Sequence, residues 1–436
     1  MEKAVFLLCL MLSLASCKKH DADEKEPVNP AQEKTIEEGE IRRTVIVYMS
    51  GENNLSSYVN DDVSEMVSGA NGISQQDRLV VYVDRATSAE KPYIIRIKDN
   101  GCDTLNIYAE DFYSSDPDKF REVIEHIEQS FPSEEYALVL WGHATGWLVR
   151  NDSIAQTMSN TSRKRAYGVD NGTNNSYGFG EKWMNITQMA RALNGLPKFK
   201  YIFADCCCML CAEVAYELRN TADFLIGSPA EIPGMGAPYQ LLVKDLFSTE
   251  DDFYEMIVDT YYNYYLAEYK TSTYANSEAN KYMTGGSVPL AAVKSVMMDS
   301  LAEATREVLP MMYDYDFTGI PFYYCEDFPV MYDISVMLQN HLPEEVYLAW
   351  RQVMDKAIVY KRFAKSWMTM NSEQRRQFVN DAFNFDETNF SGLSMFFPRA
   401  EYNFSPLYDY NNRIRNFEWY HAVGWPEMGS STQDGE

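Results

Sequence analysis

Short runs of β-branched and aromatic residues recur along the first half of the chain and constrain its fold more than any other feature. Several of these runs are apolar on both faces, as the buried strands of a largely parallel sheet are. They cover residues 44–49, 79–83, 93–97, 136–141, 200–204 and 224–227. Helical patterns lie between them. The sequence therefore predicts an α/β fold in which helices cover both faces of a mostly parallel sheet.

The helical patterns have recognisable starts and apolar faces. Asp116 is a suitable N-cap and Pro117 fits the first turn, so a helix is predicted to begin there. Apolar residues then recur on one face of that helix up to residue 131. After about residue 240 the pattern becomes largely helical, and a late strand returns near the end. The helices are expected at 253–269, 290–312 and 343–360, and the strand at 392–397.

The N-terminus has the layout of an export signal. Residues 4–15 are almost all apolar, follow Lys3 and end in small side chains. The next residues, Leu14-Ala15-Ser16-Cys17, resemble the lipobox of bacterial lipoproteins, whose cysteine is diacylated and becomes the first residue of the mature chain. Residues 1–16 are therefore predicted to be a lipoprotein signal peptide and Cys17 a lipidated residue. An ordinary signal peptide with a chance cysteine is the other reading.

Residues 17–41 are expected to connect this anchor to the folded domain. Residues 18–40 carry eight acidic and four basic side chains, two prolines and almost no large apolar residue, which is typical of a solvated tether. A lipidated Cys17 at the end of a flexible arm would hold a soluble domain at a membrane surface. The predicted location is the bacterial cell envelope, with the outer membrane as the expected membrane. The globular domain should begin near Arg42.

The charge and hydropathy of the chain exclude two classes of partner. The sequence has 64 acidic and 38 basic residues, a net charge of −26 with histidine neutral, which argues against nucleic acid. No apolar run reaches the roughly 18–20 residues that a membrane-spanning helix needs. Contact with a membrane is therefore expected through the lipid anchor only.

Four cysteines lie close together at positions 206, 207, 208 and 211. A disulfide scaffold normally spreads its cysteines over distant loops, so this cluster needs another explanation. Cys208 and Cys211 form a C-x-x-C pattern, which leaves a thiol redox or metal role open. No second C-x-x-C or closely spaced histidine pair accompanies them, so no metal site is predicted.

Two predicted strand ends carry residues suited to acyl transfer. The strand at 136–141 runs into a segment of small residues around His143, and the strand at 200–204 runs into Asp205 and the cysteines. Ligands of open α/β folds bind at the carboxyl edge of the sheet, where both ends lie. A helical pattern follows the cysteines, and the positive end of a helix favours the thiolate form of a cysteine placed there. A Cys–His pair is therefore a candidate for nucleophilic catalysis.

The two segments resemble those of the clostripain family, cysteine peptidases of the caspase-like clan. The family's histidine block reads roughly W-x-H-G-x-G-W, and its cysteine block reads D-A-C-L-M followed by E-V-A-Y-E-L. In this chain the first block is at 141–147 and the second at 205–209 with 213–218, so that His143 and Cys207 are 64 positions apart. Further matches lie at 47–49, 53–55, 189–193, 227–239 and 392–398. The resemblance covers about 44–398 and is dense up to 239.

The resemblance implies a caspase-like α/β/α sandwich and a lipid-anchored cysteine endopeptidase that cleaves peptides after Arg or Lys. Cys207 takes the place of the nucleophile and His143 that of the general base. The backbone N–H groups of Cys207 and Ala144 would form the oxyanion hole. Asp205 matches the acid that the family places in the pocket for the basic side chain, and a helix N-cap is its other reading. Calcium, which some relatives need, stays open as a cofactor, and no other cofactor is implied.

Three departures from the family pattern keep a second function open. Ala144 stands where the family usually has glycine, which would strain the loop if this position needs a positive φ. Cys206 and Cys208 flank the nucleophile's position, where neighbouring thiols could trap it after oxidation. Residues 237–239 contain no acid, although some family members have a second aspartate there. The alternative is a catalytically degenerate surface binding lipoprotein.

A long polar loop at 151–182 separates the two motifs and contains Arg163, Lys164 and Arg165. Members of the family are often activated by self-cleavage, so these residues are the predicted site of the cut. A solvated basic turn is the other reading. The resulting division of the chain beyond the tether is a catalytic core at 42–240, a helical region at 241–400 whose late strand completes the core, and a C-terminal tail at 401–436.

Overall fold

The computed structural model describes residues 40–87, 90–148, 166–172, 181–271, 286–312, 315–325, 328–370, 376–379, 385–399, 402 and 409–425. Its strands are β1 Ile41–Gly51, β2 Asp77–Arg85, β3 Tyr93–Lys98, β4 Gly101–Ile107, β5 Ser133–Gly142, β6 Tyr167–Asp170, β7 Lys182–Met184, β8 Phe199–Asp205, β9 Ala222–Gly227, β10 Leu290–Lys294, β11 Phe322–Cys325, β12 Pro329–Asp333, β13 Ile358–Arg362, β14 Trp367–Met370, β15 Arg376–Val379 and β16 Ser394–Met395. Its α-helices are α1 Tyr58–Gly69, α2 Pro117–Ser130, α3 Ile186–Leu193, α4 Ala212–Glu217, α5 Tyr239–Leu246, α6 Phe253–Thr271, α7 Met298–Val308, α8 Ile334–His341, α9 Glu344–Ala357, α10 Tyr410–Arg413 and α11 Glu418–Ala422.

A nine-stranded sheet with the order β13-β10-β9-β8-β5-β1-β2-β3-β4 forms the centre of the molecule. The five strands from β9 to β2 in this order are parallel. Two antiparallel strands extend the sheet at each edge, β3 and β4 on one side and β10 and β13 on the other. The predicted fold, a mostly parallel sheet in an α/β/α sandwich, is confirmed.

Helices cover both faces of this sheet because its central strands are apolar on both sides. Along β1, Ile46 and Tyr48 face one core while Val45 and Val47 face the other, as the alternation of side chains in a strand requires. Helices α2, α3, α4, α7 and α9 contribute to the first core, and α1, α5 and α6 contribute to the second. Both helical layers thus pack on strands that the sequence identifies.

Helix α2 begins where the sequence predicts. The carboxylate of Asp116 accepts hydrogen bonds from the N–H groups of Asp118, at 3.0 Å, and Lys119, at 3.3 Å. These bonds satisfy donors that a helix leaves without intrahelical partners, and Pro117 occupies the first turn. Phe120, Val123, Ile124 and Ile127 are buried. The predicted helix is confirmed.

The chain after residue 240 contains more strand than the sequence suggests. Residues 290–294 form β10 and residues 358–362 form β13, both within the central sheet, where we expected helix. A short apolar run such as that of β10 cannot be assigned to a strand or a buried helix from its periodicity alone. The late strand is also shorter than expected: β16 covers only Ser394–Met395, and it pairs with β12 in a separate three-stranded sheet.

Part of the expected C-terminal tail is folded. Residues 409–425 form α10 and α11, in which Phe417 and Trp419 are fully buried. The ring of Trp419 packs against Tyr216 of α4, and Glu418 pairs with Arg219 at 2.8 Å. The acidic composition of the tail obscured these aromatic contacts. In the described parts of the chain, no helix has both the length and the apolar character needed to cross a membrane.

Candidate active site

His143 and Cys207 meet at the carboxyl edge of the central sheet. Strands β5 and β8 are parallel neighbours in which Trp141 lies opposite Asp205. Each of these residues is followed two positions later by a candidate reactive group, His143 after Trp141 and Cys207 after Asp205. Both side chains line the same open cavity, which has a volume of about 700 Å³. The strand register thus brings the two residues together.

Among the four clustered cysteines, Cys207 is the one that reaches this cavity. It is half-buried, whereas Cys206, Cys208 and Cys211 are completely buried thiols outside any disulfide. Burial raises the pKa of each of these three thiols, which keeps them protonated. Their burial argues against the redox or metal reading of the C-x-x-C pattern.

The turn that carries Cys207 is held by backbone contacts. Cys208 has a φ of +60°, and its N–H donates to the carbonyl of Ala230 at 2.8 Å. The histidine segment packs directly on this turn: a Cβ added to Gly146 would lie 2.5 Å from the Cys208 carbonyl oxygen. Since Gly146 has a φ of +59°, glycine serves both the backbone conformation and the close approach. The two motifs therefore fix one another's position.

The helix predicted after the cysteines is confirmed, but it does not begin directly at the strand end. Cys211, not a residue of the strand end, is the N-cap of α4, and α4 starts at Ala212. Cys207 lies five residues before this helix, so the expected effect of a helix N-terminus on its thiol is not seen. An N–H group nevertheless faces the sulfur, because Ile232 donates to the Cys207 Sγ at 3.3 Å.

The imidazole of His143 is oriented by Asn54. Its Nε2 lies 2.6 Å from the Oδ1 of Asn54. An amide oxygen can only accept a hydrogen bond, so Nε2 carries a proton, and in the neutral imidazole Nδ1 is then the acceptor. Asn53 fixes the loop before Asn54 by donating to the carbonyls of Ser50 and Val169. Asn54 belongs to the family match at 53–55, but nothing in the sequence indicates its role.

Ala144 adopts an unstrained backbone. Among the described residues, the non-glycine positions with positive φ are Asn100 and Cys208, so the strain expected at Ala144 is absent. Ala144 and Tyr167 form an isolated antiparallel β-bridge. The residues on either side of this pair make the two hydrogen bonds of the bridge. Thr145 donates to Ala166 at 2.9 Å, and the His143 carbonyl accepts from Gly168 at 2.7 Å. The N–H of Ala144 therefore takes no part in the hydrogen bonds of this bridge.

Asp205 lies on the wall of the cavity and is only 2% exposed. Its carboxylate accepts hydrogen bonds from the hydroxyls of Tyr239, at 2.8 Å, and Tyr261, at 3.2 Å, and from the N–H of Ala237, at 3.0 Å. These partners exclude the helix N-cap reading. Burial raises the pKa of Asp205 to about 6, while the three hydrogen bonds act in the opposite direction.

A second buried acid, Asp62 of α1, lies close to Asp205 and was not predicted. Trp141 donates its indole N–H to the Oδ2 of Asp62 at 2.6 Å. Burial, together with the charge of Asp205, raises the pKa of Asp62 to about 9, so this acid is neutral near pH 7. Nothing in the local sequence of α1 marks it, because only the packing of α1 on the sheet brings Asp62 to this place.

Three further carboxylates meet beside the cavity, at the ends of β1, β2 and β6. One oxygen each of Glu52, Asp84 and Asp170 lies within 4.8 Å of the other two, and all three residues are buried. This geometry is able to hold a metal ion, whereas the sequence predicted no metal site. The signal is absent from the sequence because Glu52 and Asp170 are more than a hundred positions apart.

Several predicted residues lie outside the part of the chain that the structure describes. They are the signal peptide at 1–16, the lipidated Cys17 and Arg163, Lys164 and Arg165. The tether at 17–41 is described only from residue 40 onward.

The parallel sheet between two helical layers, with a thiol and an imidazole at adjacent strand ends, defines a cysteine protease of the caspase-like fold. Comparison with known families agrees with this class. The model of the clostripain family, peptidase C11, matches residues 47–428, and the chain therefore belongs to this family. The resemblance seen in the sequence is confirmed.

Solved structures of C11 proteases are similar to this chain over most of its length. A secreted C11 cysteine protease from Bacteroides thetaiotaomicron, in complex with an irreversible peptide inhibitor, is 31% identical with a TM-score of 0.72, and the match covers 88% of this chain and 99% of the other. An inactive zymogen C11 protease from Parabacteroides distasonis is 26% identical with a TM-score of 0.67, over 87% and 97%. Among curated protein sequences, none matches the chain significantly.

Proposed function

We propose that the protein is an endopeptidase in which Cys207 is the nucleophile and His143 the general base. The observation that carries this proposal is the placement of both side chains in one cavity, at register-matched ends of β5 and β8. A related C11 protease, 31% identical to this chain, binds an irreversible peptide inhibitor, which supports a peptide as the occupant of such a cavity. The burial of Cys206, Cys208 and Cys211 leaves Cys207 as the accessible thiol of the cluster.

The arrangement supports acyl transfer in two steps. The Nδ1 of His143 accepts the proton of the Cys207 thiol, because its Nε2 is bound to Asn54, and the sulfur attacks the scissile carbonyl. The N–H groups of Ala144 and Cys207 donate to the oxygen that becomes negative. The imidazolium then gives its proton to the leaving amine, and a thioester remains on Cys207. Water, deprotonated by His143, hydrolyses the thioester and releases the second product.

The charge of the cavity supports a basic side chain before the scissile bond. Among the described residues that line it, Asp205, Glu181 and Glu231 are acidic and none is Lys or Arg. Asp205 is mostly ionised at neutral pH, since its pKa is about 6. A buried carboxylate gains most from a cationic partner that replaces its lost hydration. Arg and Lys are therefore the proposed side chains at this position of the substrate.

A panel of fluorogenic peptides that differ only in the residue before the cut tests this function. We expect cleavage after Arg and Lys at least about 100-fold faster than after Leu or Glu, because only the basic side chains pair with Asp205. A matched peptide with citrulline in place of Arg controls for side-chain length. Failure to cleave any peptide in reducing buffer would instead favour the binding lipoprotein that has lost catalysis.

We further propose that the enzyme is activated by a cut at Arg163, Lys164 or Arg165. These residues match the proposed specificity and lie between the two motifs. The inactive zymogen structure of the Parabacteroides distasonis relative supports a latent form in this family. We expect purified native chain to appear as two fragments and the Cys207→Ser chain to stay intact on a denaturing gel. Equal cleavage of both chains would show that another protease makes the cut.

Cys17 is the proposed lipid anchor, which would place the enzyme at the cell envelope, on the outer membrane. The secreted relative from Bacteroides thetaiotaomicron supports export of this kind of protease. We expect the native chain expressed in a bacterium to incorporate labelled palmitate and to fractionate with membranes. The Cys17→Ser chain should lose both properties, because the diacylglyceryl group is attached to the cysteine sulfur through a thioether bond. Labelling that persists in Cys17→Ser would contradict the anchor, and Cys9→Ser serves as the matched control.

A further inference from the structure

Two side chains that line the cavity have a buried polar atom without a hydrogen-bond partner. These atoms are the hydroxyl oxygen of Thr145 and the indole Nε1 of Trp183, and among the described residues that line the cavity only these two have such an atom. Thr145 is only 7% exposed. Buried polar atoms are almost always hydrogen-bonded, because an unpaired one has lost its hydration without compensation. The two atoms therefore indicate a ligand with hydrogen-bonding groups of its own.

Trp183 is held toward the cavity by the strand that carries it. Its neighbours Lys182 and Met184 share the opposite face of β7, where Lys182 pairs with Asp116 at 2.6 Å and Met184 is buried in the first core. The alternation of side chains along a strand leaves Trp183 on the other face, where it lines the cavity. The ring centroids of Trp183 and His143 are 6.5 Å apart. The indole therefore flanks the imidazole.

The backbone of Thr145 is hydrogen-bonded within the protein, which sets its hydroxyl apart. Its N–H donates to the carbonyl of Ala166, directly before β6, at 2.9 Å, and its carbonyl accepts from the N–H of Leu148 at 3.3 Å. The hydroxyl is able both to donate and to accept a hydrogen bond, whereas the indole nitrogen of Trp183 only donates. A peptide group offers a carbonyl oxygen and an N–H, so it matches these two side chains.

Trp183 lies on the side of His143 away from Cys207. Strand β5, which leads into His143, has β8 and Cys207 on one side and β1 on the other. The hairpin of β6 and β7 attaches to the β1 side, where the hydroxyl of Ser50 donates to the carbonyl of Gly168 at 3.1 Å. The imidazole therefore stands between the sulfur and the indole.

We propose that Thr145 and Trp183 form a subsite that binds the part of the peptide after the scissile bond. This inference rests on the proposed peptidase function, in which the imidazolium of His143 gives its proton to the leaving amine. The amine must then lie against the imidazole, and the chain attached to it continues away from Cys207 toward Trp183. The indole donates to a carbonyl oxygen of this chain, and the Thr145 hydroxyl accepts from its N–H. The favoured substrate is therefore a peptide that continues beyond the cut.

Two substrates that share the part before the cut isolate this subsite. One is an internally quenched peptide with Arg before the cut and several residues after it, and the other is the ethyl ester of the same acyl part, whose leaving group is ethanol. The ratio of their kcat/KM values measures how much the chain after the cut contributes to acylation. We expect Trp183→Phe and Thr145→Val each to lower this ratio about three- to tenfold, the usual effect of one lost neutral hydrogen bond.

Trp419→Phe is the matched control for the loss of an indole N–H. The Nε1 of Trp419 is also buried without a partner in the described parts of the chain, but this ring packs against Tyr216 and does not line the cavity. The ratio for this variant should equal that of the native enzyme. Thr145→Val should melt no lower than the native chain, because the hydroxyl that it removes has no partner within the protein.

The possible outcomes separate the subsite from the peptidase function. A ratio that is unchanged in both Trp183→Phe and Thr145→Val would overturn the subsite and leave the peptidase function intact. An equally lowered ratio in Trp419→Phe would also overturn it, because the effect would then not come from the cavity. A native enzyme that hydrolyses neither the peptide nor the ester would overturn the proposed function, and the subsite with it.

Discussion

Replacement of Cys207 by alanine is expected to lower kcat/KM for peptides with Arg before the cut by at least about 1,000-fold. The variant keeps the cavity, Asp205 and His143 but has no sulfur to form the acyl intermediate. The substitution removes a half-buried side chain at the edge of the cavity, so the fold should be retained, and circular dichroism should show this. Kinetics with a fluorogenic Arg peptide in reducing buffer measure the effect.

Cys206→Ala is the matched control for this loss. It removes a neighbouring thiol from the same turn, but that thiol is fully buried and outside the cavity. We expect its kcat/KM to stay within about threefold of the native value. Iodoacetamide should correspondingly modify Cys207 in the native chain, and Cys206, Cys208 and Cys211 only after unfolding, as read by mass spectrometry. Equal loss of activity in both variants would contradict the assignment of Cys207 as nucleophile.

The sequence predicts the parts of the site that lie at the ends of long apolar strands. The buried runs of β5 and β8 are continuous and apolar, so the sequence predicts their ends correctly, and with them the placement of His143 and Asp205 at one edge of the sheet. The choice of Cys207 among its neighbours came from the family resemblance and not from spacing. The structure adds a physical distinction, because only this one of the four thiols reaches the cavity.

The features of the site that the sequence does not predict arise from contacts between segments that are distant in the chain. Asn54 reaches His143 across 89 positions, and the carboxylates of Glu52, Asp84 and Asp170 come together from the ends of three strands. The sequence does not show the turn that separates Cys207 from the start of α4, because this turn is held by tertiary hydrogen bonds to Ser228 and Ala230 and not by a local signal. The sequence predicts helix at β10 because the five residues of this strand are too few to show its period.

Asp205→Asn is expected to reduce kcat/KM for an Arg peptide by at least about 100-fold while changing that for the citrulline peptide much less. Asparagine keeps an oxygen for Tyr239 or Tyr261 but carries no charge. Loss of a buried charge partner therefore weakens recognition of the guanidinium specifically. An equal loss for both peptides would indicate that the variant damages the cavity and would contradict a role of Asp205 in specificity.

The pH dependence of the Arg-to-citrulline ratio isolates the charge of Asp205 from the ionisation of Cys207 and His143. The ionisation of groups that act on both peptides alike has the same effect on both kcat/KM values, so it cancels in their ratio. Because kcat/KM reports pKa values of the free enzyme, the remaining pH dependence reports the group that distinguishes the two peptides. Because burial raises the pKa of Asp205 to about 6, this carboxylate is ionised at pH 7 and becomes protonated as the pH falls below 6. We expect the ratio to decrease by up to about tenfold between pH 7 and pH 5.

Asp62→Asn is the control for this titration, because Asp62 is the other buried acid beside Trp141. Its pKa of about 9 means that it stays protonated from pH 5 to pH 7 and has no charge to lose in that range. The variant should therefore show the same decrease of the ratio as the native enzyme, whereas Asp205→Asn should show a low ratio at every pH. A ratio that stays constant with pH in the native enzyme would mean that Asp205 does not carry the charge that selects Arg.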